Sequence, residues 1–255
     1  MGAAQVEYVV PWSVGDVSDC SFYHVMDLPG LGTFGDHWDL RKTVDDYLGR
    51  SDFSGKRVLD VGSASGFLTF EMERRGASVV SFDIVEGTDW NIVPYANPRF
   101  DREELSTRLE AHIIRIKKAY WFAHRVLNSA AQVYYGDVYD FPSALGLFDV
   151  VNFGMILPHL RDPFLALQSA SRLSRERLII TQQSMLTSEP LMRFMPDPET
   201  CEDPLTWWSI SEGAMERMLQ VLGFAVLSKV RAKHFCVVRN HHEVCTTFVA
   251  RRVRT

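Results

Sequence analysis

Residues 58–83, VLDVGSASGFLTFEMERRGASVVSFD, are the stretch of sequence that decides the fold. Arg57–Val61 is a short apolar run that stops at Gly62, as a buried strand does before a turn. The pattern then predicts a helix over residues 67–75 and a second strand over residues 79–84. A strand, a glycine turn, a helix and a strand in this order indicate a βαβ unit. Its two strands are parallel and joined by a right-handed crossover.

The turn of this unit, residues 60–66 (DVGSASG), predicts the kind of ligand that the unit binds. Gly62 ends the strand where a Cβ atom would block the close approach of a ligand, and Gly66 lets the next helix start tightly against it. The nicotinamide fingerprint needs a second glycine, and Ala64 stands at that position. The form that remains is seen in methyltransferases, so the turn predicts S-adenosylmethionine as the cofactor rather than a dinucleotide.

Two acidic residues at the ends of later strands complete the predicted cofactor site. Asp83 ends the second strand of the unit, where it is placed to accept hydrogen bonds from ribose hydroxyls. Asp137 follows a strand predicted over residues 132–135 and is placed to receive the adenine amino group, with an ordinary turn aspartate as the alternative. The predicted cofactor-binding residues are Trp38, Arg41, Asp60, Gly62, Ser63, Ala64, Gly66, Phe67, Asp83, Ile84, Asp137, Val138, Asn152 and Phe153.

Two histidines are the predicted catalytic residues. His159 closes the segment NFGMILPH, residues 152–159, which leaves the fourth strand at the carboxyl edge of the sheet. An imidazole can deprotonate an acceptor hydroxyl or amine near neutral pH; the alternative is that His159 only fixes the loop or lines the pocket. His24 belongs, with Trp38 and Arg41, to a polar and aromatic segment before the glycine turn. We expect this segment to fold over the methyl-donor side as a lid, and a structural role for each residue is the alternative.

The chain as a whole predicts an N-terminal arm or lid, residues 1–50, and a methyltransferase domain, residues 51–255. The arm is expected to contain a short strand around residues 8–10 and an amphipathic helix over residues 38–48. Two β-like runs near the C-terminus fit an antiparallel hairpin added to a parallel sheet. The predicted fold class is α/β: a Rossmann-like class I methyltransferase with a mostly parallel seven-stranded sheet, the hairpin, the arm and helical insertions.

Two insertions interrupt the alternation of strands and helices, at about 88–130 and 184–209. The first is loop-like to residue 100 and then predicts a long helix that begins at Asp101 and has one apolar face. Four aromatic residues in the insertions are expected either to wall a substrate pocket or to join the core. They are Tyr120, Trp121, Trp207 and Trp208.

The composition limits the partners and the compartment. The formal net charge of −5 weighs against a large phosphate footprint of the kind that nucleic acids need. The chain has 4 cysteines, at positions 20, 201, 236 and 245, without a C-x-x-C pair, which favours reduced thiols and a cytoplasmic protein. No apolar run reaches the roughly 18 to 20 residues of a membrane span, and no cluster of residues predicts a metal site.

The chain resembles the class I methyltransferases grouped with the tRNA wobble-uridine carboxymethyltransferases (the mo5U34 methyltransferase family). The similarity covers roughly residues 20–183 and is densest at 55–84. It implies a methyltransferase fold and an S-adenosylmethionine-type cofactor. The segments that carry it are Phe22-Tyr23-His24, Asp27-Leu28-Pro29, Trp38-Asp39-Leu40-Arg41, Gly55 to Gly62, Gly66-Phe67, Phe70-Glu71, Glu73 to Ala77, Phe148-Asp149 and His159 with Asp162-Pro163.

Two departures from that family favour a different substrate. Where the carboxymethyltransferases have a tyrosine that helps to hold the extra carboxylate of their cofactor, this chain has Pro158, and no match to their carboxylate-binding arginine is found. Their longer basic N-terminal region has no counterpart either. We therefore expect plain S-adenosylmethionine and a methyl transfer to oxygen or nitrogen of a small molecule. The alternatives are a tRNA wobble-uridine enzyme and a non-catalytic nucleoside-binding protein; the oligomeric state stays open.

Overall fold

A computed structural model describes residues 6–86 and 91–253. In chain order the strands are β1 (Met26–Leu28), β2 (Gly32–Phe34), β3 (Trp38–Asp39), β4 (Arg57–Val61), β5 (Ser78–Asp83), β6 (Gln132–Tyr135), β7 (Phe148–Gly154), β8 (Ser174–Gln182), β9 (Ser184–Met185), β10 (Met192–Phe194), β11 (Trp208–Ser211), β12 (Phe224–Cys236) and β13 (His241–Arg252). The α-helices are α1 (Val44–Tyr47), α2 (Phe67–Arg74), α3 (Arg102–Val126), α4 (Pro163–Ser171) and α5 (Glu212–Val221).

The main sheet has the order β3-β12-β13-β8-β7-β4-β5-β6. Neighbours from β8 to β6 are parallel, whereas β13 runs antiparallel to both β8 and β12. The predicted α/β Rossmann-like fold with a C-terminal antiparallel hairpin is confirmed. The sheet has eight strands rather than seven because the arm adds the two-residue strand β3 at its edge.

The sheet reverses its order between β4 and β7, because β5 and β6 extend to one side of β4 and β7 and β8 to the other. In open α/β sheets a ligand binds in the crevice outside the carboxyl ends of the strands at such a reversal. Four of the five residues of β4 are buried, as expected of a central strand covered on both faces. The carboxyl ends of β4, β5 and β7 are therefore the place where a site is expected.

Helix α3 is the crossover between β5 and β6. It starts where the sequence predicts, because the Asp101 side chain accepts hydrogen bonds from the N–H groups of Glu103 and Glu104. Its apolar face, including Ile113, Ile116 and Tyr120, is buried. Of the preceding predicted loop, residues 88–90 lie outside the described residues.

The arm differs from its prediction in two places. Residues 8–10 form no strand, although the N–H of Val9 donates to the carbonyl of Val133. The predicted helix over residues 38–48 is wrong: Trp38–Asp39 pairs with β12, and only Val44–Tyr47 is helical. The physical reason is Asp39, whose carboxylate accepts the N–H of Arg41 at 3.2 Å and so favours a turn over a helix.

The second insertion also differs from the expectation of a helix. Its strands β9, β10 and β11 form a separate three-stranded sheet, and no α-helix occurs between residues 184 and 209. Proline recurs in this segment, and proline restricts helix interiors because it lacks an N–H and fixes φ. Among residues 6–86 and 91–253, no helix has the length and apolar character that a membrane crossing requires.

Candidate functional site

The glycine turn after β4 has the backbone conformation that its sequence predicts. Gly62, Ala64 and Gly66 have φ values of +78°, +47° and +89°, in the left-handed region that favours glycine. The N–H of Gly62 donates to the carbonyl of Phe82 at 2.8 Å, so the turn is fixed to the end of β5. A Cβ atom on Gly62 would lie 2.4 Å from Cγ2 of Ile156. The turn is therefore preformed, and it leaves no room for a side chain at Gly62.

Asp83 ends β5 directly opposite this turn. Its Oδ2 accepts the N–H of Ala64 and its Oδ1 accepts the N–H of Ile84, both at 2.8 Å. Ser63 Oγ lies 3.5 Å from Oδ2. Burial raises the pKa of Asp83, and the two backbone N–H groups oppose this shift by stabilising the charged form. The carboxylate is held in one orientation with lone pairs left to accept further hydrogen bonds.

Asp60 lies beneath the turn rather than beside the crevice. It is 1% exposed, and its two oxygens accept hydrogen bonds from Thr69 Oγ1 at 2.7 Å and Asn152 Nδ2 at 2.8 Å. The chain of hydrogen bonds continues from Thr69 through Ser81 to the hydroxyl of Tyr120. Burial raises the pKa of Asp60 to about 6, against the effect of its two donors. Asp60 supports the turn from below.

Two aromatic residues of α3 belong to the core rather than to a pocket wall. Tyr120 is 2% exposed, and its ring stands where a Cβ atom on Gly66 would come within 2.8 Å of it. Trp121 is also 2% exposed and donates to the hydroxyl of Tyr135. These two residues were expected either to wall a substrate pocket or to join the core, and they join the core.

The predicted residues of β7 are buried next to the reversal of the sheet. Asn152 is fully buried, with its Nδ2 directed to Asp60 and its Oδ1 without a partner among the described residues. Phe153 is fully buried in the apolar cluster that contains Leu157 and Leu167. Both residues lie behind the surface of the crevice, so their contribution to a site is through packing and orientation.

The segment after β6 joins the same edge of the sheet. The N–H of Gly136 donates to the carbonyl of Asp83 at 2.9 Å, which places residues 136–138 beside the end of β5. Asp137 is exposed, and its Oδ1 accepts the N–H of Tyr139 at 2.9 Å. Val138 is half-buried against the core. Asp137 thus makes a turn contact with one oxygen, and its side chain is exposed beside the end of β5.

The arm is attached to the glycine turn through Ser65, which the sequence analysis did not single out. Ser65 Oγ accepts the N–H of Tyr23 at 3.1 Å and that of His24 at 3.4 Å. The ring of His24 is 5.8 Å from that of Phe67, and its Nδ1 is buried without a partner among the described residues. Burial lowers the pKa of His24 to about 3, with His37 adding to the shift. So weak a base is poorly matched to removing protons at neutral pH.

The other predicted arm residues contact the arm itself. The backbone of Trp38 bonds to the backbone of Tyr23 and Val25. The guanidinium of Arg41 donates to both oxygens of Asp39 and to Asp27, at 2.7 to 2.9 Å. These two carboxylates raise the pKa of Arg41. The described contacts of Arg41 therefore hold the arm together.

His159 is exposed on a 3₁₀ turn, Leu157–His159, after β7. Its Nδ1 lies 3.1 Å from the carbonyl oxygen of Leu205. Because a carbonyl only accepts, this contact places the ring proton on Nδ1 and leaves the lone pair on Nε2. The exposed Nε2 side of His159 distinguishes it from His24, which is buried.

Residues 91–97 and 201–208, which we call the cover, contact each other beside this turn. The N–H of Val93 donates to the carbonyl of Pro204, and Trp207 Nε1 donates to the carbonyl of Asn91. The N–H of Trp207 also donates to the carbonyl of Pro158 at 2.9 Å. The cover is thereby joined to the turn that carries His159. Residues distant in sequence form it, so local patterns gave no signal for it.

Lys117 is a second residue that the sequence analysis missed. It lies on α3 four residues after Ile113 and three before Tyr120, so the helical period places it on the buried face. It is 2% exposed.

In the part of the chain that the structure describes, no group of three or more histidine, cysteine, aspartate or glutamate side chains is placed to hold a metal ion.

Comparisons with known proteins agree with this geometry. The family described as "Methyltransferase domain" matches the chain over residues 37–229. The ribosomal protein L11 methyltransferase of Deinococcus radiodurans is 36% identical over 76 residues, which are 30% of this chain and 28% of that protein.

Two solved structures share the fold. One is the 1,6-didemethyltoxoflavin-N1-methyltransferase of Burkholderia thailandensis with bound 1,6-didemethyltoxoflavin and S-adenosylhomocysteine. It is 17% identical with a TM-score of 0.51, over 84% of this chain and 78% of that chain. The other is a SAM-dependent methyltransferase of Methanosarcina mazei, 16% identical with a TM-score of 0.56, over 85% of this chain and 100% of that chain.

Proposed function

The chain belongs to the methyltransferase domain family, and we propose that it transfers a methyl group from S-adenosylmethionine to oxygen or nitrogen of a small-molecule metabolite. The observation that carries the proposal is the carboxylate of Asp83, fixed by two backbone N–H groups across from the glycine turn. The chain spans 28% of the length of the curated relative that it matches, so the activity is argued from its own residues.

The donor side fits S-adenosylmethionine part by part. The turn from Gly62 to Gly66 offers backbone groups and close approach to the methionine part, and Asp83 accepts hydrogen bonds from the ribose hydroxyls. Asp137 and Val138 follow β6 at the same edge, where they receive the adenine. Asp60 positions the turn from beneath through Thr69 and Asn152.

Methyl transfer requires little of the protein beyond aligning the acceptor with the methyl group and removing one proton. S-adenosylmethionine supplies a methyl group already activated on a sulfonium, so holding the acceptor in line with it provides most of the acceleration. The acceptor atom gains the methyl group and loses its proton. His159 takes that proton on Nε2, because its Nδ1–H is directed to Leu205. His24, which stays neutral, shapes the side of the pocket next to Phe67.

The cover supports a small acceptor rather than a macromolecule. Its two segments are hydrogen-bonded to each other and to Pro158, so protein covers one side of the turn that carries the exposed His159. Small-molecule sites are typically concave and largely enclosed, whereas a tRNA needs an open basic track. The formal net charge of −5 points the same way.

Kinship with the tRNA wobble-uridine carboxymethyltransferases is a further part of the proposal. Residues 22–24 and 38–41, two of the segments that carry the resemblance, come together through a backbone bridge between His24 and Trp38. The plain cofactor is supported by Pro158, which is buried and offers neither a hydroxyl nor an N–H. A cytoplasmic location is supported by four free cysteines.

The experiment that tests the proposed function follows the methyl group. The protein is incubated with a cell extract and S-adenosylmethionine that carries an isotopic label in its methyl group. Small molecules, RNA and protein are then separated and analysed by mass spectrometry. We expect the label in a small molecule, and the Asp83→Asn variant is the matched control that should transfer much less of it when S-adenosylmethionine is not saturating.

Each other outcome contradicts a stated part of the proposal. Label in tRNA that depends on active protein would replace the small-molecule acceptor with the wobble-uridine alternative. Label in protein would favour an acceptor like that named for the Deinococcus relative. A known methyltransferase tested in the same extract shows that the extract supports transfer. If it transfers the label and this protein does not, the result would favour a non-catalytic nucleoside-binding protein.

A further inference from the structure

Lys117 is a cation buried in the middle of α3. The residue is 2% exposed, whereas its neighbour Lys118 is 36% exposed and pairs with Asp19 at the surface. Lysine is almost never fully buried unless it is paired. The Nζ atom of Lys117 lies 3.1 Å from Oε1 of Glu86 and 3.6 Å from the centre of the Tyr135 ring. The ammonium is thus held by one ion pair and one cation–π contact.

These two partners place the ammonium at the carboxyl ends of β5 and β6. Glu86 stands three residues after Asp83, and Tyr135 is the residue of β6 that pairs with Asp83 in the register of the sheet. The Tyr135 hydroxyl accepts a hydrogen bond from Trp121, which fixes the ring under the ammonium. Lys117 is therefore positioned to act on the carboxylate that we assign to the ribose.

Burial of a cation at this point costs free energy that an apolar residue would not cost. Desolvation lowers the pKa of Lys117, and Glu86 and Asp83 oppose this shift. A methionine or leucine at the same position of the helix would fill similar volume without the desolvation penalty. A charge retained at such a cost is a common sign of a functional site.

We propose that Lys117 is a positioning residue whose ammonium, held by Glu86 and the Tyr135 ring at the carboxyl ends of β5 and β6, keeps the Asp83 carboxylate charged. The ribose hydroxyls then meet a charged acceptor that is already oriented. The proposal rests on the proposed S-adenosylmethionine site. Lys117 itself contacts Glu86 and Tyr135, and its effect on the cofactor is through Asp83.

The proposal predicts how cofactor affinity depends on pH. The charged and titratable groups around Asp83 are Asp60 on β4, Tyr135 on β6, Lys117 on α3 and Glu86 in the following turn. Lys117 lowers the pKa of Asp83, whereas burial raises it. Removing the ammonium raises the pKa of Asp83 further, so the carboxylate takes up its proton at a higher pH. Affinity for the cofactor should then begin to fall at a higher pH.

The test is calorimetric titration with S-adenosylhomocysteine over a range of pH. In Lys117→Met we expect the pH below which affinity falls to move to a higher value, because the charge that lowers the pKa of Asp83 is gone. Below that point, affinity should drop about tenfold per pH unit. Lys117→Arg should restore most of the wild-type profile. Lys118→Met, the matched control on the same helix, should leave the profile unchanged.

A second pair of measurements separates a charge effect from a packing effect. With Asp83→Asn in the background, Lys117→Met should cause no further loss, because no carboxylate remains to be kept ionised. Glu86→Gln, at a 40% exposed position, should move the profile to lower pH, because the ammonium then acts on Asp83 without a competing carboxylate. This variant also tests the proposal if Lys117→Met fails to fold.

Three results would overturn the inference. One is an equal loss of affinity at every pH in Lys117→Met, which would assign Lys117 to packing alone. Another is a loss that adds to that of Asp83→Asn. The third is a pH profile that neither Lys117→Met nor Glu86→Gln moves. If the wild-type protein does not bind S-adenosylhomocysteine at all, the proposed function fails instead.

Discussion

The carboxyl edge of the sheet has two halves that satisfy their polar groups differently. In the donor half, the ends of β4, β5 and β6, both oxygens of Asp83 accept hydrogen bonds from the protein's own backbone. In the acceptor half, formed by the arm, β8, β12 and the turn that carries His159, three buried polar atoms have no partner among the described residues. These atoms are Nδ1 of His24, Oε1 of Gln182 and Nε2 of His234.

This difference indicates what each half requires. Buried polar atoms in proteins are almost always hydrogen-bonded, so atoms without partners mark places where a ligand or water completes the bonding. In the donor half the Asp83 carboxylate is already held in one orientation, which suits a cofactor that is the same in every reaction cycle. Burial keeps the imidazoles of His24 and His234 neutral, with pKa values lowered to about 3 and about 4. We therefore propose that the acceptor half offers neutral polar groups to its substrate.

The largest effect should come from filling the glycine turn. In Gly62→Ala the new Cβ atom would lie 2.4 Å from Ile156, at a φ of +78°. The turn must shift, so we expect affinity for S-adenosylhomocysteine to fall about 100-fold or more, from steric overlap and backbone strain together. The fall in affinity is measured by calorimetric titration. Gly55→Ala is the matched control, since Gly55 has a φ of +66° and open space around its Cβ position. Equal loss in both variants would contradict a special role for the turn.

Removing the charge of Asp83 should have the next largest effect. In Asp83→Asn only one of the N–H groups of Ala64 and Ile84 keeps an acceptor, and the ribose loses a charged one. A charged hydrogen bond contributes about 1.5–3 kcal/mol, so affinity should fall roughly 10- to 100-fold. Binding is measured by the same titration. The control is Asp137→Asn, because the side chain of Asp137 is exposed and its loss should lower affinity less. A larger fall in Asp137→Asn than in Asp83→Asn would contradict the assignment of Asp83 as the main carboxylate of the site.

Variants of the acceptor half should change transfer without changing cofactor binding. His159→Gln removes the Nε2 lone pair that we assign as the base, and a general base contributes about 100-fold or more where proton removal limits the rate. How far proton removal limits the rate depends on the acceptor atom. We therefore expect a fall in labelled product of at least about tenfold. Affinity for S-adenosylhomocysteine should stay at the wild-type value. His24→Ala should lower transfer less and leave its pH dependence unchanged. A shifted pH profile in His24→Ala would contradict this assignment.

The smallest effect concerns stability. The pKa of Asp60 is raised from 3.8 to about 6 by burial, so the folded state favours the protonated carboxyl. The stability that this preference contributes is present below pH 3.8 and is lost as the pH rises through about 6. The stability of Asp60→Asn, which stays neutral, relative to the wild type should therefore be greater at pH 8 than at pH 5 by about 1 kcal/mol or more. Thermal unfolding at pH 5 and pH 8 measures the difference; a gain that is equal at both pH values would contradict the account.

The donor half was predictable because its signals are local. A glycine at a positive φ and an aspartate at the end of a strand have causes within a few residues, so the βαβ unit of residues 57–83 follows from the sequence. The role of Asp60, which lies beneath the turn, was harder to predict from the sequence. Asp60 has the residue type of a ligand-binding carboxylate, but its partners Thr69 and Asn152 come from other elements.

The acceptor half was harder to predict because its contacts are distant in sequence. Residues 38–48 have helical spacing of apolar residues, yet pairing of Trp38–Asp39 with β12 overrides it. The difference between His24 and His159 depends on burial, which no local pattern encodes. Lys117 shows a signal that could have been used, since a lone cation on the apolar face of a predicted helix calls for a buried partner.

The measurement that tests the account most directly is titration of the wild-type protein with S-adenosylmethionine in the absence of any acceptor. The account holds that the donor half is complete without the acceptor half. It therefore predicts saturable binding at one site per chain, with unchanged affinity in His159→Gln. Absence of saturable binding, or binding that requires a small molecule from the extract, would contradict it.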